Sequence, residues 1–380
     1  MKLSLRPVDT FTFRDHRDFN SGENSFGYSF PFPTPSTLYG ALRSAYIYNH
    51  STFDVFAKGA DEDVKAWMGT PDSYGQFQVL GTFIEHEGTP YLPVPLDVQI
   101  VTKENQQTGE EVEYAVPLFL KKESPKASDG KSYRLVAQVD GKTSSAEGAY
   151  VSLSDYQKLL FNGEEVPVYR LSQWIAVEEK TGIMRDEKTR RTKEGMFYQL
   201  PMYRFKQMDK TTFTTYVGKA PSFEQTKFMR VGRKGRPWVI QPEEADLTIV
   251  TDDYQKQVET KINASGMAKL VFLTPTILEN GTYSLIEGDR MLKINDSLEV
   301  EVLTLATVRP TVIGGYDIVK NRPKTRKNVI AAGTVVYVKV PKENVSAFVE
   351  AMKLHILTDD RVREGYGLCT VTFVSAKEEQ

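Results

Sequence analysis

The feature that most constrains this 380-residue chain is the order of patterns in its last third. Leu270-Val271-Phe272-Leu273, Leu298 to Val308 and Gly333 to Val340 read as strands. Pro341 then opens a segment with Val345, Phe348, Val349 and Met352 at i, i+3, i+4 and i+7, the spacing of one helix face. After the glycine turn Gly365-Tyr366-Gly367, a closing strand runs from Leu368 to Val374. A helix with one apolar stripe must bury it, and among strands the surface that accepts it is a sheet face. The expected class is therefore α+β, and the order fits one ferredoxin-like half.

The start of the chain repeats the theme. Lys2 to Phe13 reads as a strand, and a Gly/Ser/Asn-rich loop and the prolines Pro31, Pro33 and Pro35 follow. Thr34 can cap a helix whose first residue is Pro35, where the missing N–H costs nothing. Leu38, Ala41, Leu42 and Ala45 form its expected buried stripe, and Tyr39, Arg43 and Tyr46 share another face. Gly40 inside that helix costs about 1 kcal/mol against alanine, which predicts another backbone close by. Residues 76–100 look like strands with a hairpin at Glu87-Gly88. Residues 101 to about 165, with polar turns around Gln107 and Ser128, read as an insertion rather than a core. The polar stretch Gln241 to Asp253 marks a boundary. The expected organisation is two tandem ferredoxin-like domains, 1–240 with the insertion at 101–165, and 241–380.

Composition narrows the function classes. No apolar run approaches 18 residues, so no membrane span is expected. The start Met1 to Phe13 lacks the pattern of a signal peptide. One cysteine, Cys369, cannot form an internal disulfide, and no Cys/His spacing suggests zinc; a reducing cytoplasmic setting is expected. Acidic residues never cluster as a two-metal site needs, so no metal and no cofactor is expected.

The net charge of −2 hides segregation. Lys180 to Arg236 holds 15 basic and 5 acidic residues, and Arg309 to Lys327 holds 6 and 1. Like charges repel, so such concentration serves an anionic partner such as a phosphate backbone, or else only a solvated surface. Within the first segment, Ile183-Met184 and Met196-Phe197-Tyr198 enclose eleven cation-rich residues. That is the layout of a projecting hairpin or arm (about 181–198) whose tip meets phosphates. Its cations are Arg185, Lys188, Arg190, Arg191 and Lys193. Gly232-Arg233-Lys234-Gly235-Arg236 is either a hairpin turn with exposed charges or a phosphate contact; it is no Walker loop. At Gly314-Gly315 and Gly365-x-Gly367, glycine lets main-chain N–H groups approach a phosphate. His355, beyond an inward-facing apolar stripe, reads as structural. Only His16, beside Arg14 and Arg17, reads as a general base for RNA cleavage.

Phe13-Arg14-Asp15 with Phe19, and Phe30-Pro31-Phe32-Pro33-Thr34-Pro35-Ser36-Thr37-Leu38-Tyr39-Gly40-Ala41-Leu42-Arg43, resemble the start of one group of the RAMP superfamily. That group is the subunit of type III-B CRISPR effector (Cmr) complexes that binds the 5′ handle of the CRISPR RNA (crRNA). Gly182-Ile183 with Arg185-Asp186 and Gly195-Met196-Phe197-Tyr198 is similar to its central motif. Arg309-Pro310 with Gly314-Gly315-Tyr316-Asp317 resembles its second-half motif, and Gly365-Tyr366-Gly367-Leu368 its glycine-rich loop. The loop from Gly232 follows the family only loosely, and residues 101–165 match no part of it.

The resemblance implies two ferredoxin-like domains and a non-catalytic, cytoplasmic role in antiviral defence. The implied partners are the crRNA 5′ handle, the large polymerase/cyclase-like subunit, the backbone RAMP subunits and, indirectly, target RNA. The expected RNA-binding residues are Arg14, Arg17, Ser36, Thr37, Tyr39, Arg43, Arg185, Lys188, Arg190, Arg191, Lys193, Arg233, Lys234, Arg236, Gly314, Gly315, Gly365 and Gly367. Ser36 and Thr37 serve equally well as helix-capping residues, and Arg43 as a bridge to an acidic neighbour. Two rivals stand beside this reading: a crRNA-processing endoribonuclease with His16 as base, and a purely structural docking subunit.

Overall fold

The computed structural model describes residues 1–14, 25–26, 29–104, 109–122, 132–137, 139, 141–186, 188–279, 281–285, 291–317 and 321–374. At residues 14, 25, 26, 184, 185, 192–198, 283, 284 and 317 it describes the backbone alone. The chain is mixed α and β. It divides into two compact units. Met1–Gly88, Ser172–Ala245 and Val312–Lys327 form the first; Thr89–Leu171, Asp246–Thr311 and Asn328–Gln380 form the second. Residues 89–171, expected within the first domain, thus group with the C-terminal segments.

The first unit is built on the strands β1 (Lys2–Pro7), β2 (Gln78–His86), β3 (Ile175–Arg185), β4 (Thr192–Phe205), β5 (Thr211–Lys219), β6 (Phe228–Val231) and β7 (Arg236–Glu243), with the helix α1 (Pro35–His50). Five strands pair antiparallel in the order β6-β7-β1-β5-β2. β1 is central because Leu3 and Leu5 are wholly buried and both edges are paired. One face of this sheet carries an aromatic cluster in which Phe11 contacts Phe13, Phe205, Phe213 and Trp238 at centroid distances of 5.3–5.8 Å. β3 and β4 form a separate long antiparallel hairpin.

α1 begins at Pro35 as its sequence requires, yet three local expectations change. Thr34 holds the cap position without a side-chain cap bond; its hydroxyl pairs instead with that of Thr37 at 2.9 Å. The buried stripe is Leu38, Tyr39, Ala41, Leu42, Tyr46 and Ile47, so both tyrosines point inward and Ala45 lies at the margin. A Cβ at Gly40 would meet nothing within 4 Å, so among the described residues no backbone passes there.

The second unit contains the helix α2 (Asp252–Ser265), β8 (Met267–Phe272), β9 (Leu298–Ala306), β10 (Val335–Lys339), the helix α3 (Val345–Met352) and β11 (Leu368–Phe373). Its sheet runs β9-β10-β8-β11, extended at the edges by Met291–Asn295 and His355–Ile356. α3 buries the four residues its spacing named, Val345, Phe348, Val349 and Met352. Each such side chain contributes about 1.5–3 kcal/mol on leaving water.

Within residues 101–165, expected as an insertion, one described element packs into the second unit. The helix Leu153–Asn162 is capped by the Ser152 hydroxyl and buries Tyr156, Leu159, Leu160 and Phe161. Phe161 stacks on Tyr254 of α2 at 4.2 Å, and the Thr372 hydroxyl of β11 donates to the Leu160 carbonyl at 2.9 Å. This helix is therefore part of the second unit's core. The polar turns read around Gln107 and Ser128 fall on or beside positions outside the described residues. Among the described residues, no helix is long and apolar enough to cross a membrane.

Candidate nucleic-acid interface

The cation-rich segment from Lys180 folds as a hairpin. β3 and β4 pair in register from Ile175↔Phe205 to Ile183↔Phe197, with a shift before Arg185↔Thr192. At about 3.3 Å per residue, β3 is roughly 33 Å long. Its outward positions Val177 and Ile183 are 60% and 45% exposed. Near its base Lys180 donates to the Thr10 hydroxyl at 3.0 Å, and Glu178 pairs with Arg204 at 2.9 Å.

Asp186 builds the tip. Its carboxylate accepts from the Lys188 and Thr189 amides at 3.0 and 2.8 Å and from the Thr189 hydroxyl at 3.1 Å. Those bonds, the Thr189 amide foremost, hold the carboxyl below the usual aspartate range. Main-chain bonds between Asp186 and Arg190, and between Asp186 and Arg191, close the turn, with Arg190 at φ +55°. The one acid of the described tip is thereby spent on backbone, while Lys188, Arg190 and Arg191 are exposed.

The loop from Gly232 joins β6 to β7 as a tight turn, the plainer of its two readings. Gly232 lies at φ +76°, and a Cβ there would stand 2.6 Å from the Thr12 carbonyl. Packing thus explains the glycine, since Arg233 N–H donates to that same carbonyl at 3.0 Å. Arg236 pairs with Asp9 at 2.5 Å, and Lys234 is exposed.

A third basic element is the excursion around Gly314-Gly315. Tyr316–Asp317 pairs antiparallel with Arg322–Pro323, and the Lys324 amide donates to the Gly315 carbonyl at 3.0 Å. Arg309, Arg322, Lys324 and Arg326 are all exposed, as is Tyr316 at 54%.

Several expected site residues are engaged in packing. Tyr39 is buried and stacked on Phe77 at 5.4 Å, so its ring faces the core rather than a base. Arg43 is engaged with main-chain carbonyls. Its Nε donates to the Met68 carbonyl at 2.7 Å and an NH2 group to that of Thr70 at 2.6 Å, with the guanidinium 5.0 Å above Phe56. It thus ties α1 to the end of the helix Glu62–Met68. Gly365 and Gly367 are buried. The Gly367 N–H donates to the Pro275 carbonyl at 2.8 Å, and a Cβ there would lie 2.4 Å from the Leu357 carbonyl oxygen. Close packing accounts for that glycine, and its N–H is not available to a phosphate. Ser36 and Thr37 are half-buried at the start of α1.

Arg17, His16 and the side chains of Arg14, Arg185 and Lys193 lie outside the described residues. Every other expected site residue except Gly365 and Gly367 falls in the first unit. The same element also exposes Tyr316, Arg322 and Lys324, which were not among the expected site residues. An aromatic directly after Gly-Gly in a segment of six basic and one acidic residue was the available signal. Among the described residues, no group of three or more His, Cys, Asp or Glu side chains could hold a metal ion.

The model of the family described as CRISPR-associated protein (Cas_Cmr3) matches residues 3–372, nearly the whole chain. The chain belongs to the Cas_Cmr3 family. It is a Cmr-type RAMP subunit of a type III CRISPR effector complex. No curated protein matches it. Solved structures with a similar trace include a subunit of a type III-B Cmr-beta complex bound to cognate target RNA and AMPPnP, 14% identical, with 89% of this chain and 86% of the other covered and a TM-score of 0.48. A subunit of the Csm3-Csm4 subcomplex of a type III-A interference complex is 12% identical over 90% and 95%, with a TM-score of 0.37. These likenesses are too distant to assign a role to any residue; the family match rests on the sequence.

Proposed function

We propose that this Cas_Cmr3 member is a non-catalytic scaffold that holds the 5′ handle of the crRNA and joins the large subunit to the backbone RAMP subunits in the cytoplasm. The observation that carries the proposal is the hairpin tip, where Asp186 is consumed by the turn and Lys188, Arg190 and Arg191 are left facing solvent. Cations presented on a β-ribbon can position a phosphate backbone without reading its sequence. The strand orders support tandem ferredoxin-like domains. Counting each unit's four strands in chain order, β7-β1-β5-β2 and β11-β8-β10-β9 both read 4-1-3-2. Each unit keeps one crossover helix, α1 between its first and second strands and α3 between its third and fourth.

The test uses the assembled complex. Replacing Arg190 and Arg191 by alanine is expected to weaken handle-RNA binding and to flatten its salt dependence by roughly 0.7 per lost contact. Unchanged affinity and slope would remove the hairpin from the interface. The endoribonuclease reading depends on His16, outside the described residues; cutting of precursor RNA that His16→Ala abolishes would favour it.

A further inference from the structure

The second unit holds a cavity of about 350 Å³, at the small end of the range for pockets that take a compact ligand. Its walls are held by hydrogen bonds. The Ser144 and Ile100 amides each donate to the other's carbonyl, at 2.9 and 3.1 Å, and the Leu118 N–H donates to the Asp97 carbonyl at 2.9 Å. The Leu96 N–H donates to the Gly333 carbonyl at 2.7 Å, and the Thr307 hydroxyl pairs with that of Thr334 at 2.9 Å. Leu96, Val98, Leu118, Ala146 and Val308 give the cavity its apolar surface. Among the described residues that line it, none is charged.

Three lining side chains keep open hydrogen-bonding capacity. The Gln99 carboxamide and the Thr143 and Ser144 hydroxyls have no hydrogen-bond partner among the described residues. Gln99 and Thr143 are half-buried, and Ser144 is exposed. A polar group half withdrawn from water gains from a ligand that completes its bonds. A carboxamide offers a donor and an acceptor side by side, which matches the paired donor and acceptor on a base edge. Apolar walls suit the faces of a flat ring. With no cation in the lining, a phosphate finds no charged partner there, so a neutral heterocycle fits and an anion does not.

We propose that this cavity is a nucleobase pocket, in which Gln99, Thr143 and Ser144 complete their hydrogen bonds on the base edge and the apolar residues cover its faces. All its lining residues belong to the second unit, whereas the cationic hairpin belongs to the first. The inference rests on the RNA-holding reading above only for one source of the base; a free nucleoside carries the same chemistry.

The experiment titrates the full chain with each of the four ribonucleosides, followed by saturation-transfer NMR at low and high salt. At least one is expected to bind saturably, with an affinity that salt does not change, since no charge is paired. Gln99→Ala should weaken that binding by roughly 2- to 13-fold, the span of one neutral hydrogen bond. Ser144→Trp, at an exposed position, should block the cavity and abolish it. An unaltered melting curve for each variant keeps unfolding out of the comparison. The Ser144→Trp chain in the assembled complex then reads the source. Weakened binding of handle RNA makes the base part of the crRNA, and unchanged binding makes it a free nucleoside; either result supports the pocket. If no ribonucleoside saturates the parent, or if both variants bind like the parent, the pocket is overturned, while the RNA-holding reading stands on Arg190 and Arg191. A partner subunit's side chain found in the cavity of the assembled complex would likewise overturn it. Failure of the RNA-holding reading, in turn, leaves nucleoside binding untouched.

Discussion

The carboxylate of Asp97 stands 3.2 Å from the ammonium of Lys269, with both residues about 95% removed from solvent. The Tyr337 hydroxyl donates to the same carboxylate oxygen at 2.9 Å, and the ammonium lies 5.5 Å from the Tyr337 ring centre. Asp97 comes from the segment after Thr89–Pro93, Lys269 from β8 and Tyr337 from β10, so the pair fixes residues 89–171 in the second unit. Breaking such a pair strands a charge in a low dielectric, at a cost of about 3–5 kcal/mol. Asp97→Ala is therefore expected to lower the denaturation midpoint sharply. Adding Lys269→Met to it should recover part of the loss, which a double-mutant cycle in urea would read.

Two glycines should respond oppositely to alanine. Gly367→Ala places a Cβ 2.4 Å from a carbonyl oxygen at a φ of +75°, with steric clash and backbone strain together. Thermal unfolding should shift down, or the protein fail to accumulate. Gly40→Ala meets nothing within 4 Å inside α1 and should stabilise by up to about 1 kcal/mol, measured as a raised melting temperature.

The hairpin tip carries a pH dependence. The Asp186 carboxyl is held below its ordinary range, first by the Thr189 amide and then by the Thr189 hydroxyl and Lys188 amide. A group with a depressed folded-state value adds its stability above the unfolded-state value, and that stability is lost as pH falls through the folded one. Amide exchange at Lys188 and Thr189, corrected for intrinsic rates, should stay slow at neutral pH and quicken only below the ordinary aspartate range. Asp186→Ala should show the quickened behaviour at every pH.

Periodic signals were legible in the sequence and tertiary ones were not. Pro35 and the spacing of Val345, Phe348, Val349 and Met352 located α1 and α3, because local sterics and a wide apolar stripe act within one element. α2 was missed because it buries only Val258 and Ile262, and its signals are the Thr251 cap and Gly266 at its end. The helix Leu153–Asn162 hid among polar turns, although Leu159, Leu160 and Phe161 bury it. In the candidate interface, the charge clusters could be counted from the sequence. The inward turn of Tyr39 and the carbonyl partners of Arg43 depend on elements about thirty residues away, which no local pattern encodes.

Cys369 allows a direct test of the second unit's core. It lies in β11 at 0% exposure, and burial alone pushes its thiol far above the ordinary range. Its Sγ donates to the His355 carbonyl at 3.5 Å. The thiolate is the reactive form, and a raised value empties it at neutral and mildly alkaline pH alike. Native protein is therefore expected to resist iodoacetamide across that range, with mass spectrometry showing an unmodified chain, while denatured protein takes up one adduct. Adding denaturant stepwise should make labelling follow the opening of β11. Rapid labelling of the native chain would mean that β11 opens locally or that the thiol is not enclosed as described.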